Sequence, residues 1–204
     1  MKRLFALFVL IVASASARAE APMILVFGDS ISAGYGLAHV EQGWVELLKT
    51  RLSALGYGYQ VVNASVSGET TAGGLARLPR ALELHHPKIV ILELGGNDGL
   101  RALPVAQMRA NLTQMVELAT AAGAKTLLVG MRMPPNYGPE YTEQFAMVFS
   151  DLARDRKLPL VPFLLTDIAL SPTLLQGDDI HPNAAGQPVL LENVWPTLKP
   201  LLHK

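Results

Sequence analysis

Five short apolar runs, separated by stretches of helical periodicity, constrain the fold of this chain most strongly. The runs are rich in Val, Ile and Leu without polar alternation, and they cover residues 23–27, 59–63, 89–94, 125–131 and about 160–162. Strands buried on both faces of a parallel sheet have this pattern. The candidate helices cover residues 44–55, 104–122, 140–156 and 183–202. This alternation predicts an α/β protein, a three-layer α/β/α sandwich around a mostly parallel five-stranded sheet.

Residues 1–19 have the composition of a secretory signal peptide. A basic start at Lys2 precedes an apolar run at 4–13, too short to span a bilayer comfortably, and a small-x-small cleavage site ends at Ala19. We therefore predict a cleaved signal peptide, one domain at 20–204, and a periplasmic or secreted protein. An uncleaved N-terminal anchor is the alternative. No later apolar run is long enough to span a membrane.

Charge and cysteine content exclude several classes of function. The chain has 17 basic and 17 acidic residues, and removing the three basic residues of 1–19 leaves 14 against 17, a net charge near −3. That balance argues against nucleic acid as a partner. The chain has no cysteine, which excludes thiol catalysis, disulfides and cysteine metal sites. Since no histidine pair has the spacing of a metal site, we predict no metal and no cofactor.

Polar segments follow three of the predicted strands and precede the last helix. They lie at residues 28–30, 63–68, 95–98 and 178–181. Ligands of open parallel sheets bind at the carboxyl ends of the strands. Because all four segments fall at that edge, the sequence predicts a single site built from distant parts of the chain.

Ser30, His181 and Asp178 have the chemistry of a nucleophilic unit. A serine hydroxyl is a weak nucleophile that needs a base, and a carboxylate can hold a histidine in the tautomer that serves as that base. The backbone N–H groups of Ser30 and Gly68 and the side-chain amide of Asn97 are candidate donors to a developing oxyanion. Each of the Gly-Asp-Ser and Gly-Gly-Asn-Asp segments, taken alone, also has an ordinary interpretation as a turn or a helix cap.

Four sequence blocks occur in the order of a known enzyme family. The blocks are GDSIS at 28–32, ASVSGET at 64–70, GGND at 95–98 and DDIHP at 178–182. They resemble those of the SGNH (GDSL-type) hydrolases, in particular the bacterial periplasmic thioesterase I/lysophospholipase L1 group and its arylesterase relatives. The resemblance covers essentially the whole chain after residue 19. Ile31 replaces the leucine of the name-giving motif, and Asp179 stands where close relatives usually have glycine.

The resemblance implies a site, a fold and an activity. Ser30, Asp178 and His181 would form the catalytic triad, and Ser30, Gly68 and Asn97 the oxyanion hole. The implied SGNH hydrolase fold has a flavodoxin-like sheet of strand order 2-1-3-4-5. The implied enzyme is a serine esterase that hydrolyses carboxylic esters, acyl thioesters or lysophospholipids through an acyl-enzyme on Ser30. We expect a monomer whose partner is a small-molecule acyl ester or thioester.

Three other functional classes fit parts of the sequence. An α/β-hydrolase requires Gly-x-Ser-x-Gly at its nucleophile, but Ser32 occupies the position of the last glycine. A carbohydrate O-deacetylase of the same fold would use the same triad with a more polar site. A catalytically inactive binding module is disfavoured because the reactive residues are all present.

Two apolar segments, at 75–79 and 131–138, are candidates for a substrate groove. We interpret both as loops beside the site, in which Leu75, Leu78, Met133 and Pro134 would line a groove for an acyl chain. The alternative is that Leu75, Leu78 and Met133 are ordinary core residues.

Overall fold

One parallel sheet forms the centre of the molecule. The computed structural model describes residues 21–204. Its strands are β1 (Met23–Gly28), β2 (Gln60–Asn63), β3 (Ile89–Glu93), β4 (Lys125–Val129) and β5 (Leu160–Val161). They pair in parallel in the order β2-β1-β3-β4-β5. The predicted α/β class and strand order are therefore confirmed. The predicted signal peptide lies outside the described residues.

Helices cover both faces of the sheet. They are α1 (Ser30–Ala33), α2 (Trp44–Ala54), α3 (Thr71–His85), α4 (Gly96–Leu100), α5 (Val105–Ala121), α6 (Pro139–Arg156) and α7 (Gln187–Leu198). On one face α2 packs against α7, and on the other α5 packs between α3 and α6. Within residues 21–204 no helix is long and apolar enough to cross a membrane.

The central strands are apolar, except for Glu93 at the end of β3, because helices cover both of their faces. In β1, every residue from Ile24 to Phe27 is buried, and all five residues of β3 are buried. Large side chains from both helical layers, such as Trp44 and Phe145, complete the core. This double burial explains the absence of polar alternation in the sequence.

Helix α3 corrects the interpretation of residues 75–79 as a loop. A proline inside a helix removes a hydrogen bond and costs about 3 kcal/mol, so Pro79 disfavoured a helix in the sequence. The helix forms nevertheless, because it buries Leu78 completely and Leu82 almost completely against the sheet. A methyl group at Gly74 would overlap Leu94, so this glycine permits close packing of α3 on the sheet.

The last helix is shorter than the predicted 183–202. Residues before α7 form a turn in which Asn183 Oδ1 accepts hydrogen bonds from the N–H groups of Ala185 and Gly186. After α7 the chain tightens into a 3-10 turn at Lys199–Leu201. The turn at Asn183 sets the distance between this helix and the polar segment that precedes it.

Candidate active site

The polar segments predicted to converge do meet at the carboxyl edge of the sheet. They surround a cavity of about 200 Å³, lined by polar groups of Ser30, Gly68, Asn97 and His181. Its apolar walls come from Tyr35, Leu100, Met131, Leu165 and Ile180. The cavity therefore combines reactive groups with an apolar surface.

A continuous chain of hydrogen bonds joins the three predicted catalytic side chains. His181 Nε2 lies 2.9 Å from Ser30 Oγ, and His181 Nδ1 lies 2.6 Å from Asp178 Oδ2. With the Ser30 hydroxyl donating to Nε2, the Nδ1–H group donates to Asp178. The ring of Tyr35 packs 4.6 Å from the imidazole, measured between ring centroids. This geometry is that of a serine, its general base and the carboxylate that orients the base.

The Asp178 carboxylate is held by its own loop. Its Oδ1 accepts the backbone N–H groups of Ile180 and His181, both at 3.0 Å. Desolvation raises the pKa of Asp178, but the hydrogen bonds from the His181 and Ile180 backbones and from the His181 side chain lower it to about 2. Asp178 is therefore a carboxylate at neutral pH.

Asp179 is exposed and has a left-handed backbone conformation, with φ of 57°. Glycine adopts this conformation without strain, and aspartate tolerates it better than most residues. The turn that brings Asp178 beside His181 therefore requires a residue that adopts the left-handed conformation at position 179.

A short hairpin, residues 175–182, fixes the loop that carries Asp178 and His181 to the rest of the site. The N–H of Gln176 donates to the His181 carbonyl at 2.8 Å, and its side-chain amide donates to the Tyr35 carbonyl at 2.7 Å. A Cβ at Gly36 would overlap the Gln176 side chain, so the two segments approach closely. Gln176 was not predicted from the sequence, because nothing in the neighbouring sequence distinguishes it from an exposed loop residue.

Ser30 lies at the start of α1, directly after β1. Asp29 caps this short helix, since its Oδ1 accepts the N–H of Ile31 at 3.0 Å. Within residues 21–204 no acceptor is bonded to the backbone N–H of Ser30 or to that of Gly68. Gly68 has φ of 78°, a conformation that favours glycine. Both N–H groups are therefore free to bind an oxyanion.

The Asn97 side chain is oriented by Asp29. Its Nδ2 donates one hydrogen bond to Asp29 Oδ2 at 3.1 Å. Since a primary amide carries two hydrogens, the second remains for a group in the cavity. Asp98, next in the sequence, is buried and accepts the Thr71 N–H at 2.8 Å and the Thr71 hydroxyl at 2.6 Å. The Gly-Gly-Asn-Asp segment thus positions a donor and also ties α4 to α3.

Two buried carboxyl groups beneath Ser30 were not predicted from the sequence. Burial raises the pKa of Asp29 to about 6, although the Ile31 N–H, His181 and Asn97 oppose the shift. Burial and the nearby charge of Asp29 raise the pKa of Glu93 well above its usual range. The only signal for Glu93 was an acidic residue inside the apolar run 89–94.

Replacing Glu93 should make thermal stability depend differently on pH. The folded-state pKa of Glu93 lies above its unfolded value, so wild type loses stability as pH rises from about 5 through the folded pKa. Glu93→Gln cannot titrate and escapes this loss. We expect the difference in Tm, variant minus wild type, to increase between pH 5 and pH 8 in thermal unfolding. A difference that is constant over this range would show that Glu93 ionises normally in the folded protein.

The four residues predicted to form an acyl groove do not line this cavity. Leu78 is 0% exposed inside α3, and Leu75 packs partly buried against the core. Met133 is buried beneath α4, where a Cβ at Gly99 would overlap it, and Pro134 is exposed outside the cavity. The sequence could not show this, because apolar residues of α3 and of an irregular loop look alike without their burial.

Within residues 21–204, no three histidine, aspartate or glutamate side chains are grouped as a protein metal site would require. The cysteine-free sequence offers no thiolate ligand. The functional side chains described at this site are therefore those of Asp178, His181 and Ser30 and the amide donor Asn97.

Residues 26–189 match the GDSL-like lipase/acylhydrolase family. The chain is 55% identical to esterase TesA of Pseudomonas aeruginosa over 185 residues, 91% of this chain and 92% of that protein. It is 40% identical to thioesterase 1/protease 1/lysophospholipase L1 of Escherichia coli over 91% of this chain and 87% of that protein. The psychrotrophic esterase EstA from Pseudoalteromonas sp., solved in a form inhibited by monoethylphosphonate, is 42% identical with a TM-score of 0.83, covering 87% of this chain and 97% of EstA.

Proposed function

Because the chain belongs to the GDSL-like lipase/acylhydrolase family and is a serine esterase, we propose that it hydrolyses acyl esters through an acyl-enzyme on Ser30. One observation carries the proposal: the hydrogen-bonded chain from Asp178 through His181 to Ser30 opens onto a cavity with free donors. A segment that served only as a turn or a helix cap would not require an aspartate, a histidine and a serine in one hydrogen-bonded chain.

The geometry supports a two-step hydrolysis. Ser30 Oγ attacks the ester carbonyl carbon as its proton passes to His181 Nε2, and Asp178 stabilises the imidazolium that forms. The negative oxygen accepts hydrogen bonds from the N–H groups of Ser30 and Gly68 and from Asn97. His181 then protonates the leaving group, and an acyl-enzyme remains. Water, deprotonated by His181, attacks this acyl-enzyme, and His181 then returns the proton to Ser30 Oγ as the bond between Oγ and the acyl carbon breaks and the carboxylic acid leaves.

The substrate class that we propose is a monoacyl ester, an acyl thioester or a lysophospholipid. The apolar walls of the cavity support an acyl chain, and Leu100 and Ile180 at the cavity are themselves 37% and 41% exposed. Apart from Tyr35 and Ser67, the polar side chains that line the cavity are Ser30, Asn97 and His181 of the proposed reactive set and Asp29, which orients Asn97. A carbohydrate O-deacetylase is therefore the weaker candidate.

The sequence supports a periplasmic or secreted location. This proposal rests on the signal-like segment at 1–19. The chain has no cysteine, so its folding in either location would depend on burial of the apolar core and not on disulfide formation. We also propose that the enzyme acts as a monomer on a small-molecule substrate, without nucleic acid.

Catalytic efficiency should rise with acyl-chain length over the first several carbons and then level off. Burying one methylene contributes about 0.8 kcal/mol, so each added carbon that reaches an apolar wall should raise kcat/KM a few-fold. Leu100→Ala removes part of that wall, and we expect it to lower kcat/KM for octanoyl esters about fivefold to tenfold while sparing acetyl esters. Steady-state kinetics on acetyl, butyryl, octanoyl and palmitoyl p-nitrophenyl esters would measure this.

Leu78→Ala is the matched control, because Leu78 is an apolar residue of similar size that the structure buries away from the cavity. It should lower Tm and leave the chain-length preference unchanged. The same panel should include an acyl-CoA, a lysophospholipid and an acetylated sugar. If acetyl esters were the best substrates and Leu100→Ala affected all esters equally, the deacetylase alternative would be favoured.

A further inference from the structure

We infer that Glu93 is a positioning residue for ester hydrolysis, whose buried carboxyl group holds the turn that carries Ser30. The inference rests on the proposed function, since it concerns the same nucleophile. Glu93 itself lies below the cavity and does not line it. Its effect must therefore pass through the residues that it contacts.

Glu93 occupies the space beneath the first glycine of the Gly-Asp-Ser segment. It ends β3 and pairs in register with Gly28 at the end of β1. A methyl group at Gly28 would overlap the Glu93 carboxyl group and would lie 2.9 Å from Ser32 Oγ. The glycine is therefore required by the carboxyl group under it, in addition to any role in the turn.

The Glu93 carboxyl group contacts the chain on both sides of Ser30. Its Oε2 accepts the N–H of Asp29 at 3.2 Å and the hydroxyl of Ser32 at 2.7 Å. One residue before the nucleophile and one residue two positions after it are thus fixed to the same oxygen. These contacts with Asp29 and Ser32 hold the backbone on both sides of Ser30, and they therefore fix the direction of its N–H and hydroxyl.

The same contacts reach the proposed oxyanion hole. Asp29, whose backbone Glu93 holds, accepts the amide of Asn97 with its side chain. A shift of Asp29 would therefore move both the nucleophile turn and the Asn97 donor. Displacements of about 1 Å in such groups can lower a rate about 100-fold.

Stability alone does not account for a carboxyl group at this place. Glu93 is 0% exposed, and within residues 21–204 its Oε1 has no hydrogen-bond partner. Burying an incompletely bonded polar group is unfavourable, and the Oε1 atom of Glu93 carries this cost. Thr126, on β4, is also buried with an unbonded hydroxyl, and it offers a matched control outside the site.

The test compares Glu93→Met, Glu93→Gln and Thr126→Val with wild type in p-nitrophenyl butyrate hydrolysis and thermal unfolding. We expect Glu93→Met to lower kcat about 30- to 100-fold with KM within twofold, and to lower Tm because the buried Asp29 N–H and Ser32 hydroxyl lose their acceptor. Glu93→Gln keeps a carbonyl oxygen as acceptor, so it should restore kcat to within about fivefold of wild type. Thr126→Val should leave kcat unchanged. The rate of inactivation by a p-nitrophenyl alkylphosphonate should fall in parallel with kcat.

Ser32→Ala keeps the test decisive if Glu93→Met does not fold. It removes one of the two bonds to Glu93 Oε2, so we expect kcat to fall about tenfold with KM unchanged. Glu93→Met with wild-type kcat, or Glu93→Gln as impaired as Glu93→Met, would overturn the inference while Ser30→Ala stays inactive. If instead Ser30→Ala kept its activity and wild type resisted the phosphonate, the proposed function would fail, and the inference with it.

Discussion

Ser30→Ala is expected to lower kcat for p-nitrophenyl butyrate about 10⁴- to 10⁶-fold while the protein remains folded. Losing the nucleophile or the base of such a unit costs up to about 10⁶-fold, and the remaining rate comes from binding and the oxyanion hole. The fold should persist because Ser30 is half-buried and, among residues 21–204, its hydroxyl bonds only to His181. Steady-state kinetics and thermal unfolding would measure both quantities.

The loss of activity in Ser30→Ala should not add to the loss of activity caused by removing His181. His181→Ala should be nearly as inactive as Ser30→Ala, and the double variant should be no worse than either one. A serine-directed phosphonate should label wild type on the peptide that contains Ser30 and should leave Ser30→Ala unlabelled. Ser53→Ala, at an exposed serine of α2, is the control and should behave as wild type. A folded Ser30→Ala protein with full activity would refute the mechanism.

Asp178→Ala should lower kcat about 10⁴-fold, whereas Asp179→Ala should change it less than about threefold. The large effect is expected because Asp178 holds the Nδ1–H of His181, and replacing such an orienting carboxylate typically costs about 10⁴-fold. Asp179 is exposed and supplies only a left-handed backbone conformation. Steady-state kinetics on both variants would measure this ratio.

Asp179→Gly provides the control for the backbone. Glycine fits φ of 57° without strain but gains entropy in the unfolded chain, so stability should stay within about 1 kcal/mol of wild type. Activity should be retained. A greater loss in Asp179→Ala than in Asp178→Ala would move the role of the acid to Asp179.

The structure was predictable from the sequence where it depends on the chemical type of a residue and its position along the chain. The apolar strands were predictable because burial on both faces removes polar alternation. The convergence of Ser30, Asp178, His181 and Asn97 on one edge of the sheet was predictable, because these residues stand beside strand ends in the order of a known family. The strand order itself followed from that resemblance, since apolar runs do not show which strands are neighbours.

The rest depended on packing, which a single sequence does not display. Helix α3 was missed because the local cost of Pro79 is visible, but the burial of Leu78 that offsets it is not. Glu93 was missed because its contacts with Asp29 and Ser32 bridge residues more than 60 positions apart. The apolar walls of the cavity, including Leu165, could not be separated in the sequence from the core.

The hydrogen bond between Ser30 and His181 joins residues 151 positions apart. Contacts of high sequence separation slow the folding of a domain, because the chain loses loop-closure entropy before such contacts stabilise it. The nucleophile leaves the first strand of the sheet, whereas its base follows the last one. Turnover of an ester is therefore a direct reporter of complete folding, because an intermediate that lacks the C-terminal segment can have a formed sheet and no catalytic base.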